Sequence, residues 1–343
     1  MQKLLFTLLA LVSITNLKGQ EAEIKPLEIE LSGYLSNDVA EVSGMAWFKD
    51  KLILLPQYPE EKGEIYQISK KVLLKYLSKL ESGRDPRPLK PKPITFQSQY
   101  WKILDGYEGF EALTFDPNSG ACWLTIEFEP ENTSPYSIIV KGRMGEDMKS
   151  LVIDPIPFES YQKQKILSQS KAPNMAEETL VLIPSSKGQK DQILAIHEAN
   201  GLEGKGPINA TILSKNFQEL FTTEMPQIPF RITDATDMDA DGRFWAINYF
   251  YDGDRFMRVS KDIVLEQYGI TKGASHQKNQ FVERLIELQY KNDQIKFSDS
   301  KPIQLELENG KARNWEGIVR LEDKGFLLVS DRFPRTMLIF VKQ

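Results

Sequence analysis

The chain has 343 residues, 41% of them hydrophobic, a formal net charge of −5 and one cysteine. That charge argues against a nucleic-acid partner, which needs a basic footprint. A lone Cys122 excludes an intramolecular disulfide, so packing or a bound metal must hold the fold.

Residues 1–19 read as an export signal. Lys3 gives a basic start, Leu4 to Ile14 form an apolar run, and Gly19 offers a small residue before cleavage at Gln20. The run is shorter than the roughly 20 apolar residues that span a bilayer. No later segment is apolar enough to cross, so the expected product is a secreted or periplasmic monomer without a transmembrane span. Residues 20–343 read as one domain.

A hairpin unit then recurs. It begins on a polar or acidic residue, alternates apolar positions, turns, and returns as an apolar strand ending in another polar residue. The first copy starts at Ser43-Gly44-Met45 and returns as Leu52 to Leu55, ending at Gln57. The second, the clearest, runs from Glu111 to Phe115, turns at Asp116 to Gly120, and returns as Cys122 to Ile126 before Glu127. The third starts at Glu178 and returns as Gln192 to Ile196, followed by His197 and Glu198. The fourth runs from Asp234 to Met238, turns at Asp239 to Gly242, and returns as Phe244 to Ile247 before Asn248. The fifth starts at Glu316, turns near Asp323-Lys324-Gly325, and returns as Phe326 to Val329, ending at Asp331. Between the first and second copies, Val72, Leu73, Tyr76, Leu77 and Leu80 recur at helical spacing and predict a helix over Lys70 to Glu81. The proline- and lysine-rich stretch from Ser82 to Pro93 reads as a surface loop, as does Ser168 to Met175.

This repetition predicts an all-β fold, a single β-propeller with a short helical insertion. Six blades are expected, with five or seven also compatible, because strand-like stretches at Phe256 to Val264 and Phe281 to Phe297 lie in the longest interval. A β-sandwich also has regular hairpins but does not normally repeat an acidic mark. Glu28 to Tyr34 and Thr336 to Val341 are expected to share one blade and close the ring.

In a hairpin, the start of the first strand and the end of the second share one edge. Glu111, Glu127, Glu178, Glu198, Asp234, Glu316 and Asp331 should therefore gather at one mouth. Calcium is the expected cofactor, since it takes hard oxygen ligands in adaptable geometry. The competing reading makes the acids caps for strand ends. Arg231, Arg313 and Arg332 flank acidic marks and are candidates either for structural ion pairs or for clamping a small anionic substrate. Asp237 to Gly242 imitates a calcium loop, but the strand that follows favours a tight turn. With only His197 and His276, a histidine-rich zinc site is disfavoured. His197 reads as structural but stays a catalytic candidate beside Glu111, Glu316, Arg313 and Arg332.

The segments Glu41 to Met45, Tyr107 to Leu113, Met175 to Leu180, Ile196 to Glu198, Ile232 to Asp237, Asn314 to Ile318 and Val329 to Asp331 resemble the phytase-like propeller family, also described as having an esterase-like activity of phytase. The resemblance covers most of the chain after the signal. It implies a propeller with the repeated Glu residues near its axis, and hydrolysis of a phosphoester or related ester. Asp234 stands where Glu is commoner, and Ser43 marks the first repeat. Two functions follow as expectations: a calcium-dependent hydrolase, or a non-catalytic exported propeller that binds a ligand or protein, for which Tyr249, Phe250 and Tyr251 offer a surface.

Overall fold

A computed structural model describes residues 21–157, 161–162, 164–168, 175–184, 192–200, 209–217 and 220–343. The expected signal, residues 1–19, and most of the loop between Ser168 and Met175 lie outside them.

The strands run in chain order as β1 (Glu23–Ile24), β2 (Leu27–Ile29), β3 (Val42–Phe48), β4 (Lys51–Pro56), β5 (Glu64–Ser69), β6 (Lys92–Gln97), β7 (Tyr107–Phe115), β8 (Ala121–Phe128), β9 (Tyr136–Met144), β10 (Ser150–Ile153) and β11 (Lys165–Leu167). They continue as β12 (Glu177–Ile183), β13 (Gln192–His197), β14 (Asn209–Ser214), β15 (Leu220–Glu224), β16 (Arg243–Phe250), β17 (Val282–Lys291), β18 (Gln294–Phe297), β19 (Ile303–Leu305), β20 (Trp315–Leu321), β21 (Gly325–Ser330) and β22 (Met337–Lys342). Hydrogen bonding groups them into antiparallel meanders: β3 to β6, β7 to β10, β12 to β15, β16 to β18, and β20 to β22 with β2. The fourth meander lacks a regular first strand; residues 231–235 take that place through isolated bridges from Arg231 to Tyr249 and from Ala235 to Ala246.

Apolar side chains fill the space between successive meanders. Leu55, Ile65 and Phe48 pack on Phe110, Leu124 and Ile126. Ala112, Trp123 and Ile139 pack on Leu180, Ile193 and Leu213, and Val181, Leu194 and Ile212 on Ile232, Phe244 and Ile286. Trp245 and Ile247 pack on Ile318, Phe326 and Leu328. Val319, Leu327 and Leu338 then pack back on Met45, Leu52 and Leu54, so the series closes on itself. Sheets stacked face to face in a closed ring define a β-propeller. The described residues form five such units, one of the counts the spacing allows. The long interval after Asp234 holds short helices over Asp252–Met257, Ile263–Tyr268 and Ala274–Asn279, and its strands β17 and β18 belong to the fourth unit.

Closure occurs where the sequence places it, with β2 pairing antiparallel to β22 and Ile29 opposite Leu338. The helix over Lys70–Glu81 forms with the expected bounds. Ser69 Oγ accepts from Val72 N at 3.3 Å and caps it, while Leu73, Tyr76 and Leu77 are buried on the last core cluster. Cys122 is fully buried, and its thiol is pushed far up by that burial, as a packing residue rather than a nucleophile. No helix among the described residues is long and apolar enough to cross a membrane.

Candidate functional site

Each unit's first strand carries one residue more than its partner at the same end. Val42 and Gly44 lie opposite Pro56 and Leu55, which leaves Ser43 as the extra residue. Glu177 and Thr179 lie opposite His197 and Ile196, which leaves Glu178. Trp315 and Gly317 lie opposite Ser330 and Val329, which leaves Glu316. In β7 the shift between Phe110 and Leu113 takes in Glu111. The fourth unit keeps the pattern, with four steps from Arg231 to Ala235 against three from Tyr249 to Ala246. A β-bulge re-aims a side chain that the pleat would otherwise hold against a neighbouring sheet. Here the bulged residues Ser43, Glu111, Glu178 and Glu316 all line one cavity.

That cavity has a volume of about 600 Å³. Gln57, Glu127 and Asp331 join it from the ends of the second strands, and Arg231, Tyr251, Asn314, Tyr58 and Arg332 complete the polar wall. The structure thus brings together Glu111, Glu127, Glu178, Glu316 and Asp331 of the expected acidic ring. Glu198 lies just behind the wall, fully buried against Arg231. Asp234 does not reach the cavity: its Oδ2 accepts from Ile318 N at 2.8 Å and ties the fourth unit to the fifth. Asn248 is likewise structural, donating to Pro229 O and Arg231 O at 2.8 and 3.0 Å. Where the second, third and fifth units present acids at the bulge and the first presents Ser43, the fourth presents Arg231.

Two ligatures hold the wall. Gln57 Nε2 donates to Glu111 Oε1 at 3.0 Å, and Phe110 N donates to Gln57 O at 2.8 Å, linking the first and second units. Asn314 Nδ2 donates to Asp331 Oδ2 at 3.0 Å, and the Tyr249 hydroxyl donates to Asn314 Oδ1 while lying 3.4 Å from Glu316 Oε1. Glycine is required at the bulges. A Cβ on Gly109, at φ +126°, would lie 2.5 Å from Gln57 Cγ; one on Gly317 would lie 2.8 Å from Val329 Cγ1.

Eight acids line the cavity against two guanidiniums, and both guanidiniums are engaged. Arg231 forks onto Asp254 at 2.6 and 2.9 Å and also donates to Glu198. Arg332 donates to Glu41 Oε1 at 2.6 Å. Burial, and then the neighbouring carboxylates, hold Glu111, Glu127, Glu178 and Glu316 well above the usual carboxylate range. Burial also raises Asp331, opposed by the Asn314 hydrogen bond. Oε1 of Glu127 and Oε2 of Glu178 and of Glu198 are buried without a donor, while the Glu178 and Glu198 carboxyls lie in hydrogen-bond contact with each other.

Carboxylate oxygens without soft sulfur or imidazole donors beside them fit a hard cation such as calcium better than a soft one. Among the described residues, no group of three or more His, Cys, Asp or Glu side chains is close enough together to hold a metal ion as it stands. The acids are instead spread around the wall of the cavity.

The other candidates go elsewhere. Arg313 is buried in an ion pair with Glu283, with Nη2 to Oε2 at 2.6 Å, and does not line the cavity. His197 is buried off the cavity. Ser168 Oγ donates to Met175 O at 2.8 Å and lies 2.7 Å from His197 Nε2, while Nδ1 accepts from Ala199 N at 3.0 Å. Nδ1 also lies 3.2 Å from Ala199 O, so both ring nitrogens are held within the fold, away from the cavity. Asp239 Oδ1 accepts from Asp241 N and Arg243 N at 2.9 and 2.8 Å, which makes that segment a turn, as expected. Tyr249 and Phe250 are buried, and only Tyr251 of the aromatic trio lines the cavity. Asp254 and Tyr58 were not marked by the repeat; Asp254 lies in the short helix after β16, and Tyr58 directly follows the marked Gln57.

The fold and the axial cavity define a β-propeller. No family model matches the chain, and no curated protein does, so the phytase-like resemblance rests on its motifs. Solved structures with a similar fold include a glucose dehydrogenase, at 11% identity and a TM-score of 0.45, over 91% of this chain and 99% of that one. A thermostable family-43 glycoside hydrolase has 8% identity and a TM-score of 0.48, over 92% and 91%. The soluble aldose sugar dehydrogenase from Escherichia coli, in its apo form, has 10% identity and a TM-score of 0.43, over 90% and 98%. At these values the likeness says nothing of activity.

Proposed function

We propose that the axial cavity takes up calcium and a small anionic ester beside it, and that this exported propeller hydrolyses a phosphoester or related ester. The observation that carries the reading is the set of buried acids, Glu111, Glu127, Glu178, Glu316 and Asp331, facing one cavity with oxygens on Glu127 and Glu178 that have no donor. Like charges so placed need either protons or a cation, and an anionic ester has no reason to enter such a cavity until a cation balances it.

Glu111, Glu127, Glu178, Glu316 and Asp331 are the residues that would hold the ion. Bound calcium would supply charge neutralisation and polarise an ester oxygen. Arg231 is fixed by Asp254 and offers a preorganised positive charge at the wall for charge developing on the ester. Arg332, more than half exposed, lies at the rim, where an incoming anion can draw it from Glu41. One of the cavity carboxyls, Glu111 or Glu316, would exchange a proton with water in place of holding the ion; burial raises the proton affinity of both.

The test is a panel of phosphomonoesters, phosphodiesters and carboxylic esters, assayed with calcium and with chelator. Calcium-dependent turnover is expected, falling at least about tenfold in Glu111→Gln or Glu316→Gln. Unchanged turnover in both variants would sink it. The second reading, a ligand-binding propeller without turnover, is favoured by the commitment of both cavity guanidiniums to ion pairs. It predicts saturable binding with no product.

A further inference from the structure

At the strand ends opposite the acidic mouth, the second and third units enclose a separate cavity of about 430 Å³. Its wall carries Lys141 and Arg143 from β9 and Lys215 from the turn after β14, with Ser119 and Ser214 between them. Among the described residues that line it, one acid is present, Asp116, and its carboxylate is already used. Oδ1 accepts from Asn118 N and Ser119 N at 2.9 and 3.2 Å, and Oδ2 pairs with Lys215 Nζ at 3.0 Å. Among the described residues, Lys141 and Arg143 thus add positive charge that Asp116 does not balance, in a chain whose net charge is −5.

Trp123 makes this arrangement a built one. The indole is 1% exposed, and its Nε1 donates to Lys215 O at 3.3 Å, which fixes the turn that carries Lys215. The same ring lies 5.4 Å from Lys215 Nζ and 6.0 Å from Lys141 Nζ. Two ammonium groups thus lie near one aromatic ring, and only that of Lys215 is paired with Asp116. Arg143 adds a third cation, anchored by donation to Ser119 O at 2.8 Å with the rest of its fork open to further acceptors.

We propose that this cavity is a binding site for a small oxyanion of the phosphate type, held by Lys141, Lys215 and Arg143 above Trp123. It is independent of the axial cavity and of calcium. A concave site of this size selects a small soluble anion rather than a flat charged surface.

The probe is inorganic phosphate, titrated calorimetrically into the full chain in chelator at low ionic strength, with chloride at matched ionic strength as the control. Saturable binding at one site is expected, with phosphate raising the melting temperature more than chloride does. The double variant Lys141→Gln with Arg143→Gln is expected to weaken binding at least about tenfold. Glu111→Gln, in the axial cavity, should leave it unchanged. Because Lys215 holds Asp116, its replacement is not the primary test; Trp123→Phe supplies the second variant, weakening binding through loss of the indole that orders both lysines. Absence of phosphate binding in the native chain, or equal binding in the double variant, would overturn the proposal. Loss of binding in Glu111→Gln alone would move the anion to the axial cavity and overturn it as well.

Discussion

Burial raises the proton affinity of the carboxyls around the axis, and that has a measurable sign. Glu177, adjacent to Glu178 on β12, is pushed up from 4.5 to about 8 by burial, against a weaker opposing contact with Ser137. The folded state keeps a proton that the unfolded chain releases near 4.5, so its contribution is fully present below that pH and is lost as pH rises through about 8. Each such carboxyl contributes a slope of about 1.4 kcal/mol per pH unit within the window. In chelator, urea midpoints should therefore fall from pH 5 to pH 8; a flat or rising series would contradict the protonated state of these acids. Asp254 supplies a second residue-scale prediction. It is the forked partner of a guanidinium that is itself buried, so Asp254→Ala should cost about 3 kcal/mol in denaturant unfolding. A loss below about 0.5 kcal/mol, the ordinary surface range, would mean that Arg231 is not held as described. Nothing in the sequence announced this pair, because Asp254 lies 23 residues from Arg231 in a segment without the repeat.

At the scale of the element, the bulges decide where the acids point. The repeat was legible because turn residues and alternating apolar positions leave a mark in sequence, and the helix over Lys70–Glu81 was legible because its apolar stripe has its own period. A one-residue bulge leaves no such mark, since it exists only in the register between two strands. The bulged Glu111, Glu178 and Glu316 line the cavity, and Asp234 does not. Its strand lacks a continuous ladder, and the carboxylate serves the neighbouring unit's backbone instead. The same geometry makes Gly109 indispensable. Gly109→Ala would place a Cβ 2.8 Å from Gln57 O at φ +126°, and should cost about 2 kcal/mol or more. It should also loosen Glu111, whose partner is the displaced Gln57. An unchanged denaturation midpoint would show that the approach of the first two units is slack.

For the whole molecule, ring closure and the axial charge are linked. Closure depends on a short strand: Ile29, fully buried on β2, packs with Leu338 and Phe340, and the Arg335 to Glu28 ion pair at 2.7 Å is exposed and adds little. Ile29→Asp should therefore lower the melting temperature by several degrees and expose apolar surface to dye, with the cavity acids losing their fixed spacing. A melt indistinguishable from the native chain would show that the ring holds without β2. Five acids packed at the axis of that ring are tolerated either by protons or by a cation, and the two cases separate above neutral pH. The most direct measurement is thermal unfolding at pH 8 in chelator and then in calcium, with metal analysis of the same sample and of Glu127→Gln and Glu178→Gln. The calcium reading predicts a rise in melting temperature with bound calcium in the native chain, and an affinity at least about tenfold lower in either variant. No rise and no bound metal would contradict it and leave the carboxyls as protonated structural groups.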